Sequence, residues 1–139
     1  MKYLIDTCVI SELVKKNPDG NVVEWFSTQN EANLFLSVLT IGEIHKGIEK
    51  LPQSPKKEIL HNWIEMDLKE RFDERILNID TEIAEEWGRI QITAEKAGTP
   101  MPAVDSLIAA TAKVHHLTVL TRNTGDMEAS GAALINPWE

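Results

Sequence analysis

The sequence holds a single cysteine, Cys8, among 139 residues, so no internal disulfide is possible and nothing in it demands an oxidising compartment. Long apolar runs are missing as well. The first, Tyr3-Leu4-Ile5, stops at Asp6, too early for a signal-peptide core, and none of the later ones is long enough to cross a bilayer. A cytoplasmic protein with no membrane attachment is therefore expected. Basic residues are outnumbered, 14 against 22 acidic, for a formal net charge of -8; this excludes a protein that coats nucleic acid through a broad basic surface. Internal repeats, low-complexity tracts and linkers are absent too, so residues 1–139 are expected to form one domain, of a size that buries about two-thirds of its unfolded surface.

What is present is an ordinary globular composition, 42% hydrophobic and 26% charged, with apolar runs whose period alternates between strand and helix. Tyr3-Leu4-Ile5 reads as a buried strand that hands over at Asp6-Thr7 to a helix from Cys8 to Lys15, which Asn17-Pro18-Asp19-Gly20 breaks. Asn21 to Thr28 reads as a short helix and Leu34 to Ser37 as a second strand. Ile41, Ile44, Ile48 and Leu51 then form a helical stripe that Pro52 stops. Pro55 to Phe72 reads as one amphipathic helix carrying Leu60, Trp63, Ile64 and Leu68. Arg75 to Ile79 is the third predicted strand, Thr81 to Lys96 a long helix ended by Gly98, and Ala103 to His116 an alanine-rich helix. Leu117 to Leu120 and Ala132 to Ile135 complete the strands, with the turn Asn123-Thr124-Gly125-Asp126 between them. Strands and helices that alternate without a hairpin signal predict an α/β fold, a three-layer α/β/α arrangement around a mostly parallel sheet of four to five strands.

In such sheets ligands bind beyond the carboxyl ends of the strands. Asp6 ends the first strand, Glu43 lies early in the helix after the second, Asp105 sits in the first turn of the helix after Pro102, and Asp126 follows the strand at Leu117 to Leu120. Each has a plainer reading: Asp6 as a helix cap, Glu43 with Thr40 as a capping box, Asp105 as a partner of a helix dipole, Asp126 as a turn residue. Independent caps, however, have no reason to gather at one edge of one sheet. Clustered carboxylates repel one another unless divalent cations neutralise them, and hard oxygen ligands select magnesium or manganese. Such ions activate water toward a phosphodiester, so no nucleophilic side chain is required.

The segments around these acids resemble the PIN-domain nucleases, and among them the toxin-like group related to VapC and FitB. The resemblance rests on Asp6-Thr7 with Val9-Ile10-Ser11-Glu12-Leu13, on Ser37-Val38-Leu39-Thr40-Ile41-Gly42-Glu43-Ile44 with Gly47-Ile48, on Asp105-Ser106-Leu107-Ile108-Ala109-Ala110-Thr111-Ala112, on Thr121-Arg122-Asn123 with Asp126, and on Asn136-Pro137-Trp138. It spans nearly the whole chain. It implies that Asp6, Glu43, Asp105 and Asp126 form the metal-binding catalytic centre, with Thr7, Thr121 and Asn123 as substrate or support residues. It further implies a Mg2+- or Mn2+-dependent endoribonuclease that is the toxin of a type II toxin-antitoxin pair. The implied partners are RNA, a second copy of the chain and a small antitoxin through which the complex reaches DNA. That antitoxin is expected to lie along a groove between the early helices and the helix Pro55 to Phe72, sending an Arg or Lys into the acidic centre. Two departures stand out: Cys8 where relatives often carry Asn or Ser, and Met127 where many have Phe.

Other chemistries fare worse. His45, His61, His115 and His116 lack zinc-site spacing with Cys8. Asp80 ends a strand as a phosphoacceptor would, but the acidic pair a receiver domain needs at strand one is missing, because Thr7 and Cys8 follow Asp6. A haloacid-dehalogenase phosphatase wants a second Asp where Cys8 stands. Trp25, Trp63, Trp87 and Trp138 read as core or interface anchors rather than base-stacking platforms, and as exposed tryptophans they support a homodimer. Lys15, Lys16, Lys46, Lys50, Lys56, Lys57 and Arg122 are the candidates for a basic rim, most of them plain solvated charge. The class that keeps the fold but loses turnover, a FitB-like half of a DNA-binding regulatory complex, is separated from a ribonuclease by testing whether the free protein cuts RNA.

Overall fold

The computed structural model describes residues 1–139. Its frame is a parallel five-stranded sheet in the order β3-β2-β1-β4-β5, made of β1 (Tyr3–Ile5), β2 (Leu34–Ser37), β3 (Ile76–Leu77), β4 (Thr118–Leu120) and β5 (Leu134–Ile135). β1 is central and pairs Tyr3 with both Leu34 and Thr118. Because side chains alternate along a strand, β1 feeds two cores. Tyr3 and Ile5 pack on one face with α1 (Thr7–Leu13), α2 (Gly20–Ser27), α3 (Val38–Glu49) and α4 (Pro55–Asn62) with its continuation. Leu4 packs on the other with α6 (Thr81–Lys96), α7 (Ala103–His115) and α8 (Thr124–Met127). The fold is the predicted three-layer α/β/α sandwich.

Local chemistry sets the helix starts. Asp19, Ser37, Ser54 and Asp80 each accept a hydrogen bond from a first-turn backbone N–H of α2, α3, α4 and α6, which satisfies donors the helix itself leaves free. α7 stops at His116, whose left-handed φ of 57° turns the chain into β4.

Four expectations need correction. The helix predicted as continuous over Pro55 to Phe72 is interrupted by a wide π-type turn at Trp63–Leu68 before the short α5 (Lys69–Arg71). Its apolar residues Leu60, Ile64, Leu68 and Phe72 recur every fourth position, and in a regular α-helix such a row drifts by about 40° per step. A turn with more residues per revolution cancels the drift and keeps Ile64, Leu68 and Phe72 buried. The strand predicted over Arg75 to Ile79 shrinks to Ile76–Leu77, with Arg75 closing a 3-10 turn from Asp73 and its guanidinium donating to the carbonyls of Glu31, Leu34 and Arg71. β4 and β5 are likewise shorter than predicted, beginning at Thr118 and Leu134. The tryptophans taken as exposed are half-buried, all four of them, so they no longer argue for a homodimer. No helix is long and apolar enough to cross a membrane.

Candidate functional site

Since the strands are all parallel, every strand delivers its last residue to the same edge, and the carboxylates gather there. Asp6 follows β1 directly and is only 5% exposed. Such a buried charge requires partners, and it has two. Its Oδ1 accepts the Thr7 backbone N–H at 2.8 Å, capping α1, and its Oδ2 accepts the Thr121 hydroxyl at 2.8 Å. Asp6 is thus a cap that also stands at the edge where the acids gather. Thr121, fully buried after β4, also accepts the Asn123 backbone N–H at 3.0 Å. Its side chain therefore ties the centre of the sheet to the loop that carries Asp126.

Glu43 comes from α3. Ser37 rather than Thr40 is the N-cap of that helix, so Thr40 and Glu43 lie inside it and the capping-box reading fails. Thr7 donates its hydroxyl to Glu43 Oε1 at 2.5 Å, and the buried Thr40 Oγ1 lies 3.2 Å from the same Thr7 oxygen. Asp105 lies in the first turn of α7 and Asp126 in α8, neither helix having a side-chain cap bond. Burial first, then the charges of Asp6, Glu43 and Asp126, push the Asp105 carboxyl above its ordinary value. One group thus feels all three of the others, which makes the four a single electrostatic unit. Glu128, the nearby acid on the same loop, is not among the charges that act on Asp105.

The supporting residues divide. Thr7 and Thr121 make side-chain contacts to the acids, whereas Asn123 is exposed and contributes its backbone N–H. Cys8 is a neighbour that sequence reasoning set aside. Its thiol lies 3.7 Å from Asp6 Oδ2 and 3.8 Å from Thr121 Oγ1, and burial, followed by the Asp6 charge, raises its pKa. Thr40 had been absorbed into a cap. No sequence signal marks an inward-facing threonine on a helix, since its pattern is that of a core position.

The donor set is chemically right for a hard divalent ion: carboxylate oxygens and hydroxyls, with Asp105 showing charge left uncompensated. No three His, Cys, Asp or Glu side chains converge on one ion-sized position.

This sheet order, with acids on one edge drawn from β1, α3, α7 and α8, defines a PIN-type α/β fold. The chain belongs to the PIN-domain family, whose pattern matches residues 3–129. It is 38% identical over 135 residues to toxin FitB of Neisseria gonorrhoeae, covering 97% of each chain. It is 35% identical over 136 residues to VapC ribonuclease Y4jK of Sinorhizobium fredii, covering 98% of this chain and 97% of that one. Among solved structures, that of FitAB bound to a DNA fragment superposes with a TM-score of 0.95 at 37% identity, covering 99% of this chain and 96% of that one.

Proposed function

We propose that this chain, working as one PIN unit over residues 1–139, is a magnesium- or manganese-dependent endoribonuclease and the toxin of a type II toxin-antitoxin pair. The observation that carries the reading is the gathering of Asp6, Glu43, Asp105 and Asp126 at the carboxyl edge of the parallel sheet, where burial and then the other three charges raise the Asp105 carboxyl. A relative named as a ribonuclease supports the substrate, and one named as a toxin supports the biological role. When bound, a divalent ion supplies the Lewis acidity that makes water a competent nucleophile and offsets the negative charge of a phosphodiester. The chain's own residues do the rest. Thr121 fixes the rotamer of Asp6, Thr7 fixes that of Glu43, and the start of α7 holds Asp105 at the same edge. The test is cleavage of single-stranded RNA by the free protein. Asp6→Ala and Asp105→Ala are expected to abolish it while leaving the far-UV circular dichroism unchanged. Cleavage that survives both substitutions would show the acids to be structural, and a free protein that cuts nothing would leave the FitB-like binding role.

For the antitoxin, the surface offers a groove of about 410 Å³ between α1, α2 and the α4 to α5 segment, lined by Ile10, Leu13, Phe26, Trp63, Leu68 and Phe72. A shallower cleft continues from Trp63 past Ile44 to Glu43. An apolar segment in that groove is anchored by an aromatic residue at its middle, and a basic side chain at its end lies against the acids. The inserted cation and magnesium neutralise the same charges, so excess magnesium and Glu43→Gln are each expected to weaken inhibition. Inhibition unmoved by both would mean that the partner blocks RNA from outside the site. The expected homodimer keeps the resemblance as its support.

A further inference from the structure

We propose that Arg122, held in place by Trp138, is the residue that grips an RNA phosphate beside the acidic centre; this rests on the ribonuclease reading above. Arg122 follows Thr121, whose hydroxyl holds Asp6, so the two leave β4 at the edge where the acids gather. The C-terminal turn reaches the same edge from the neighbouring strand β5, where Thr121 donates its backbone N–H to the Ile135 carbonyl at 2.9 Å. There the Arg122 guanidinium stacks on the Trp138 ring at 5.0 Å.

Two contacts hold the Trp138 backbone that carries this ring. The Trp138 N–H donates to Asn136 Oδ1 at 2.9 Å, and the Trp138 carbonyl accepts from Asn21 Nδ2 at 2.8 Å. One side of the indole packs on the core that also holds Cys8. Arg122 itself is exposed and forms no ion pair. Glu12, an acid on which the Arg122 charge acts, is already held by Lys15 at 2.8 Å and by the Asp19 N–H at 2.9 Å. A planar cation with its donors uncommitted and its guanidinium resting on an aromatic face is suited to bidentate phosphate binding, because less freedom remains to be lost. The chain's net charge is -8, and a polyanion approaching four carboxylates needs such a local counterweight. Arg122 is the cation adjoining in sequence a residue bonded to Asp6.

The experiment uses the Asp105→Asn protein with magnesium, which leaves RNA uncut, and a fluorescently labelled single-stranded oligoribonucleotide of mixed sequence titrated at several salt concentrations. Arg122→Ala is expected to weaken binding about three- to tenfold and to reduce the slope of log K against log salt by about 0.7, the loss of one phosphate contact on a single strand. Arg122→Lys keeps the slope while losing part of the affinity, since the charge remains and the stacked fork does not. Trp138→Phe is expected to fall between the unaltered residue and Arg122→Ala. Lys2→Ala, which removes one positive charge at the opposite edge of the sheet, is expected to leave slope and affinity unchanged. The inference is overturned if Arg122→Ala behaves like Lys2→Ala, or if Arg122→Lys fails to restore the slope. If the chain with Asp105 intact cuts the oligonucleotide and Arg122→Ala still binds normally, this inference falls alone. If that chain neither cuts nor binds it, the ribonuclease reading falls with it.

Discussion

At the scale of single residues, the site depends on hydroxyls as much as on acids. Thr121 serves Asp6 with its proton and Asn123 with its lone pair, from a fully buried position. Thr121→Val keeps the shape and removes both bonds, leaving a buried carboxylate oxygen and a backbone N–H short of partners. The expected cost is about 1–3 kcal/mol in urea unfolding, together with a loss of RNA cleavage. A variant as stable and as active as the parent would detach Thr121 from the site. Asp105 predicts the opposite effect on stability. Its folded pKa is raised above the ordinary 3.8, so the folded chain holds this proton more tightly than the unfolded chain does. The resulting stability is fully present below the unfolded pKa and is lost as pH rises through the folded value. In metal-free buffer, Asp105→Asn should match the parent near pH 4 and melt at a higher temperature by about pH 7. A variant that melts lower at neutral pH would show that the carboxylate is held by favourable contacts. That Asp6, Glu43, Asp105 and Asp126 meet at one edge was legible from their positions around the predicted strands and helices. Of the hydroxyls, Thr7 and Thr121 were named through the resemblance, whereas Thr40, flanked by Leu39 and Ile41, was legible only as a cap.

Secondary-structure elements follow sequence wherever a local signal is strong. Asp80 is a case in point: it stands just before Thr81, a usual place for a helix cap, and its Oδ1 accepts the Ile83 N–H at 2.9 Å. Asp80→Ala is expected to cost about 1 kcal/mol, seen as a lower melting temperature with RNA cleavage unchanged. Activity lost at full stability would instead revive a chemical role for this acid. The five strands and most helix limits were legible because apolar period and stop residues agree. The π-type turn at Trp63–Leu68 was not. Its cause is the four-residue spacing of Leu60, Ile64, Leu68 and Phe72, close enough to helical period to pass for an ordinary stripe, and only packing against the sheet makes the drift matter. The start of β3 escaped for another reason: Arg75 bonds the carbonyls of Glu31 and Leu34, far away in the chain, a tertiary demand that no local pattern records.

On the scale of the whole molecule, the acidic edge governs what can bind. The proposed activity is expected to vanish in chelator, to return with magnesium or manganese, and to remain low with calcium, whose larger and looser shell polarises water less. RNA cleavage undiminished in chelator would require another mechanism and another reason for the carboxylates to gather. The sheet order carries one more consequence, for the moment of synthesis. β1, though made first, lies between β2 and β4, and Asp6 waits for a hydroxyl 115 positions further along the chain. Such distant pairing closes late. While it is still being translated, the growing polypeptide lacks Asp126 and half the support of Asp6, so the proposed site stays incomplete until the last strands have left the ribosome.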